Sequence, residues 1–311
     1  VPLAEVVRSG FVEGLHRGSV VVLGPSGAAV ADAGDVTSPV FPRSASKPMQ
    51  AIGMLRAGLP LTDPADVAMV AASHAGEEFH LARVGALLSA AGLDESALGC
   101  PPDLPMGELA REAVLRGGGG ATRTQMNCSG KHAGMVLTCR AAGWPLDGYW
   151  RPEHPLQLAL RAAVEEFTGE PVAAVGVDGC GAPVLAVSLT GLARAYLRLV
   201  GGEPGSVERT VADAMRAYPE LVGGTWAEDS RLMRGVPGAL AKIGAEGVIA
   251  AAVPGVGAVA VKIDDGAARA RMPVLVSALR RLGVQAPVLD EYAELPLLGG
   301  GLPVGAVRPV W

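Results

Sequence analysis

The sequence is short of the residues that mark several protein classes. Only 4% of its 311 residues are aromatic, so any core must be built mostly from Ala, Val and Leu. Lys and Arg total 26 against 31 Asp and Glu, a net charge of −5, and no basic cluster stands out. A mildly acidic chain without such a cluster is a poor nucleic-acid binder. No apolar run reaches the roughly 18 residues that a membrane-spanning helix needs. The N-terminus does not read as a signal peptide, because Glu5, Arg8, Glu13 and Arg17 interrupt any apolar stretch. The four cysteines (Cys100, Cys128, Cys139, Cys180) are too few and too irregular for a disulfide scaffold. They fit a reducing cytoplasm, which leaves thiols free for metal or catalysis. No repeat, low-complexity tail or clear linker is present.

Half of the residues are apolar, which excludes intrinsic disorder. The 43 glycines and 24 prolines point to many turns. Short Val-rich runs at 4–8, 19–24 and 28–31 read as strands. So do 247–253 and 257–263, which Pro254-Gly255-Val256 joins as a hairpin. Helical spacing covers 46–57, 64–72, 77–91, 107–115, 130–142, 155–168, 206–218 and 267–282. Residues 116–124, with four consecutive glycines, read as a loop, and 171–180 as an apolar run closing on a Gly-rich turn. Strands at both ends with helices between them predict an α+β sandwich, a mainly antiparallel sheet flanked by helices. Length alone suggests about two domains. The pattern favours one domain spanning 1–311.

Two glycine patterns carry no nucleotide chemistry. Gly255-Val-Gly257-Ala-Val-Ala260 lies between two strand-like runs, with no helix to receive a pyrophosphate. Gly130-Lys131 lacks the phosphate-loop spacing and is followed by His132.

Four other segments carry candidate chemistry. In Arg43-Ser44-Ala45-Ser46-Lys47-Pro48, a helical turn places Ser44 and Lys47 on one face. A desolvated lysine can activate a serine there. A capping serine beside a solvated lysine would give the same spacing. In Ser73-His74-Ala75-Gly76-Glu77-Glu78, Ser73 reads as a helix cap and His74 as an acid/base candidate or a polar junction residue. Lys242-Ile243-Gly244 precedes the late hairpin, where glycine allows close backbone approach. Together the three follow the S-x-x-K, serine, K-x-G order of penicillin-recognising serine enzymes, although the second is not S-x-N. Last, Asn127-Cys128-Ser129-Gly130-Lys131-His132 and Asp178-Gly179-Cys180-Gly181-Ala182-Pro183 each bring a cysteine into a polar, Gly-rich setting. Two thiolates with nitrogen, oxygen or water ligands suit zinc. A disulfide, a lone nucleophile or inert buried thiols remain open on spacing alone. Cys100 and Cys139 read as structural.

R-S-A-S-K-P-x-Q, S-H-x-G-E, N-C-S-G-K-H, D-G-C-G-A-P and K-x-G-A-E-G, in this order, make the chain resemble the rhizobial-type L-asparaginases of the asparaginase II family. The likeness runs over nearly the whole chain. It implies a fold similar to serine β-lactamases and glutaminases, and hydrolysis of L-asparagine to L-aspartate and ammonia. It implies two Ser–Lys pairs, Ser44 with Lys47 and Ser73 with Lys242. Cys128, Lys131 and Cys180 would bind zinc, with Arg43, His132 and Asp178 in support. Homodimers are also implied. Rival readings are a related serine amidohydrolase (a glutaminase or a β-lactamase-like enzyme) and a non-catalytic metal- or amino-acid-binding protein. Which serine attacks is open: Ser44 with Lys47, or Ser73 with Lys242.

Overall fold

Strands from both ends of the chain meet in one sheet, and this brackets everything between them. The computed structural model describes all residues, Val1–Trp311. Its strands are β1 Pro2–Arg8, β2 Phe11–Leu23, β3 Ala29–Ala33, β4 Pro39–Val40, β5 Ala174–Val177, β6 Pro183–Ser188, β7 Leu240–Gly244, β8 Val248–Val253, β9 Gly257–Ile263, β10 Leu295–Gly299 and β11 Leu302–Pro309. Its helices are α1 Lys47–Arg56, α2 Pro64–Val70, α3 Glu78–Ala90, α4 Glu108–Arg116, α5 Ser129–Ala142, α6 Pro155–Thr168, α7 Leu189–Gly201, α8 Val207–Ala217, α9 Pro219–Val222, α10 Glu228–Gly235, α11 Ala268–Arg281 and α12 Pro287–Ala293.

The main sheet runs β10-β11-β1-β2-β9-β8-β7, with β3 paired to β2. A second sheet, β4-β6-β5, was not expected from the sequence. All the strand pairings are antiparallel, so the chain is an α+β protein. The turn at Pro254-Gly255-Val256 closes β8 onto β9 as anticipated. Helix α7 packs on β2, β8 and β9, and α11 packs on β1, β2, β9 and β11. Strand β8 is buried at every position, so both faces of this part of the sheet are covered. That burial explains why its sequence is a continuous apolar run rather than an alternating one.

The remaining helices form a layer around α1 and α5. Eight of the ten α1 residues are buried, as are the first eleven of α5. Glycine makes the close crossing of α2 and α5 possible. A Cβ on Gly130 would lie 2.5 Å from the Met69 carbonyl oxygen, and one on Gly134 would lie 2.7 Å from Val70. No helix is long and apolar enough to cross a membrane.

Candidate active site

A short 3-10 turn, Arg43–Ser46, leads directly into α1. Pro48 sits in the first turn of that helix, where its missing N–H costs little. Strand β7 presses on this turn: a Cβ on Gly244 would lie 2.4 Å from the Pro42 carbonyl oxygen. The glycine of the Lys242-Ile243-Gly244 motif thus makes room for the turn that carries Ser44. Arg43 has φ of 52°, a left-handed backbone that a non-glycine residue rarely adopts. Its guanidinium is held by Asp178, with Nε 2.9 Å from Oδ1, and lies 3.8 Å from Glu246. Asp178 is in turn fixed by the tight turn 178–182, where it accepts from the Gly179 N–H.

Three lysines are buried here: Lys47, Lys131 and Lys242. The whole sequence holds only one other, Lys262. Lys47 Nζ donates to the Ala72 carbonyl and, at 2.8 Å, to Ser73 Oγ, and lies 3.2 Å from Cys128 Sγ. Burial pushes this amine below its ordinary value, and Lys131 and Lys242 nearby add to that. Ser73 is held by its N–H to the Val222 carbonyl. Ser44 is half-buried and has no bond to Lys47.

The pairing therefore differs from the order of the motifs. Lys47 bonds Ser73 rather than Ser44, because a buried amine turns inward to the acceptors behind it. Lys242 bonds neither serine. Its Nζ lies 3.0 Å from Asp229 Oδ2 on α10, a carboxylate that the sequence did not single out. The scarcity of lysine is the signal that marks this site, and nothing in the local sequence marks Asp229.

The two cysteines meet behind Lys47. Lys131 Nζ is 3.2 Å from Cys180 Sγ. The Cys128 side chain, then Lys131 and His132, hold Cys180 well below the ordinary thiol value. The Cys128 thiol donates to Asn127 Oδ1 at 3.0 Å, and the neighbouring Cys180 and burial raise its proton affinity. Burial works against the Lys131 ammonium, but the two sulfurs outweigh it and hold its proton firmly. His132 Nδ1 lies 2.6 Å from Tyr149 Oη, which accepts the Gly99 N–H at 2.7 Å. The His132 Nε2 atom is buried without a partner. The two sulfurs and the Lys131 amine could hold a divalent cation such as zinc, once Cys128 and Lys131 have lost their protons, with the unpartnered His132 nitrogen nearby. No group of three or more His, Cys, Asp or Glu side chains is placed to hold a metal, so lysine is indispensable to such a site.

His74 is a supporting residue. Its Nδ1 accepts the Gly76 N–H, so Nε2 carries the proton and donates to Ser129 Oγ at 2.8 Å. Its ring stacks on His80, and burial holds it well below its ordinary value. Cys100 and Cys139 are buried outside this cluster, and burial pushes each thiol up to about 11.

No curated protein matches the chain. Among solved structures, it is similar to a β-lactamase from Mycobacterium bovis, with 17% identity, coverage of 80% of this chain and 88% of that one, and a TM-score of 0.42. It is also similar to a protein named Mglu, in its tris and glutamate form, with 17% identity, coverage of 91% and 64%, and a TM-score of 0.46. At such identity the likeness transfers no activity. The family model described as L-asparaginase II matches residues 4–309, nearly the full sequence and every residue of the cluster above. With that match, the chain belongs to the L-asparaginase II family of amidohydrolases.

Proposed function

We propose that this protein is an L-asparaginase, releasing ammonia from the side-chain amide of L-asparagine by way of a lysine-activated serine. The observation that carries the reading is the buried 2.8 Å hydrogen bond between Lys47 Nζ and Ser73 Oγ, with the half-buried Ser44 one turn before Lys47 in the chain. A desolvated amine with a lowered proton affinity is suited to act as a base. Membership of the L-asparaginase II family supports asparagine as the substrate.

Ser44 attacks the amide carbon, and Lys47 takes its proton through the Ser73 hydroxyl it already holds. Unpaired backbone N–H groups near the start of α1 would stabilise the developing oxyanion. The proton passes to the amide nitrogen, the C–N bond breaks and ammonia leaves. Water then adds to the aspartyl ester, gives its proton to Lys47, and the proton returns to Ser44. A second reading makes Ser73 the nucleophile, favoured by its direct bond to Lys47. Trapping the acyl-enzyme and mapping it by mass spectrometry separates the two. An adduct on neither serine sinks both. Ammonia release from asparagine against glutamine distinguishes an asparaginase from a glutaminase.

Cys128, Lys131 and Cys180 would hold zinc, with His132 behind them. Bound there, zinc supplies a fixed charge that anchors the substrate. Chelation is then expected to raise KM more than it lowers kcat. Metal analysis of the purified protein checks its presence. We also read 1–311 as one catalytic domain that forms a homodimer, which light scattering tests.

A further inference from the structure

Lys242 is the one lysine of the cluster that faces a carboxylate. Its Nζ donates to Asp229 Oδ2 at 3.0 Å and to the Ile243 carbonyl at 3.2 Å. Both side chains are 0% exposed. The carboxylate is itself locked in place. Oδ2 also accepts the Ile243 N–H at 3.1 Å, and Oδ1 accepts the Ser230 N–H at 3.0 Å. Ser230 Oγ donates to the Pro219 carbonyl at 2.6 Å, which ties α10 to α9. Asp229 pairs with no other cation and Lys242 with no other anion. The other charged and titratable groups around the pair are Lys47 on α1, Tyr196 on α7, whose hydroxyl donates to the Ala45 carbonyl, and Glu228 of α10, bonded to Arg271 of α11.

Two backbone N–H groups and the Lys242 amine thus surround the Asp229 carboxylate with donors and compensate its charge. In a dry setting, its partner ammonium then cannot give up a proton without leaving that charge unpaired. We propose that Asp229 is a positioning residue that fixes Lys242 as a standing ammonium, so that Lys242 serves the site as a permanent charge and not as the base of Ser73. This rests on the reading of the site as a lysine-activated serine amidohydrolase.

The scarcity of lysine makes a direct test practical. With lysine labelled by carbon-13 at Cε, the intact protein gives four side-chain signals. The Lys242 signal is identified by its loss in Lys242→Met. At one fixed pH, about 8, the wild-type signal is expected at the ammonium position. In Asp229→Asn, with the carboxylate gone, it should move toward the neutral-amine position at the same pH. A neutral-amine signal in the wild-type protein overturns the proposal, and so does an unchanged signal in a folded Asp229→Asn.

Activity gives a second arm. Arginine cannot act as a base at working pH. Lys242→Met should lose roughly 10²-fold or more of ammonia release, and Lys242→Arg, which restores a positive charge but no base, should lose less. A folded Lys242→Arg as inactive as Lys242→Met overturns the proposal. If the wild-type protein releases no ammonia from asparagine, the functional reading fails, and the carbon-13 signal still judges Asp229.

Discussion

The surface and the interior of this molecule carry positive charge on different side chains. Ion pairs that touch solvent are made by arginine, among them Arg8–Glu13, Arg56–Glu166, Arg209–Asp213 and Arg308–Glu5, with His16–Asp265 the one histidine case. The interior holds Lys47, Lys131 and Lys242, and the one lysine ion pair, Lys242–Asp229, is fully buried. Arginine stays charged under all working conditions, while the proton affinity of lysine shifts readily once water is removed. The chain thus separates charge that keeps a surface solvated from charge that can take part in chemistry. Within the buried set, neighbours divide the work again. Lys47 faces a carbonyl, a hydroxyl and the Cys128 sulfur, Lys131 faces the Cys180 sulfur, and Lys242 faces a carboxylate.

The strongest way to break this contrast is to move the surface cation inside. Lys47→Arg keeps the positive charge but removes the base, so ammonia release should fall by roughly 10²–10⁴-fold. Retained turnover would show that the site needs only a cation at position 47. Next is Asp229→Ala, which strands the Lys242 charge in the core. Urea unfolding should report a loss of about 3–5 kcal/mol, the usual consequence of breaking one side of a buried pair. A smaller loss, near that of a surface pair, would erase the distinction between the two regions. The surface counterpart is Arg8→Ala, which removes a pair whose side chains are 42% and 50% exposed. Its expected effect is about 0.5 kcal/mol at most. The smallest effect concerns thiols. Cys100 and Cys139, pushed up to about 11 by burial, should resist iodoacetamide at neutral pH in the folded chain and react only after unfolding.

Much of the framework is legible without coordinates. The strands at 4–8 and 257–263 and the helices over 64–72, 155–168 and 206–218 recur within a few residues as β1, β9, α2, α6 and α8. Their patterns are local, with alternation, helical spacing and caps such as Ser206, which accepts from the Arg209 N–H. Helix α7 escaped notice because it carries buried residues along most of its length and starts directly after the fully buried β6, with Ser188, its N-cap, as the one signal between them. The C-terminal hairpin of β10 and β11 escaped for a different reason. It is glycine- and proline-rich, and it gains order by pairing with β1 from the opposite end of the chain.

At the site, the residue types were readable and their partners were not. The sequence by itself drew attention to these serines, amines and thiols, because five short motifs occur together in one order, although each spacing alone has other uses. Tertiary structure alone decided that Lys47 turns to Ser73, that Lys242 turns to Asp229, and that Cys128 meets Cys180. Those choices depend on which acceptor a buried cation finds first when water is gone. The acceptors come from α10, β7, the turn at 178–182 and the segment after α2, which are distant in sequence and are brought together only when the core closes.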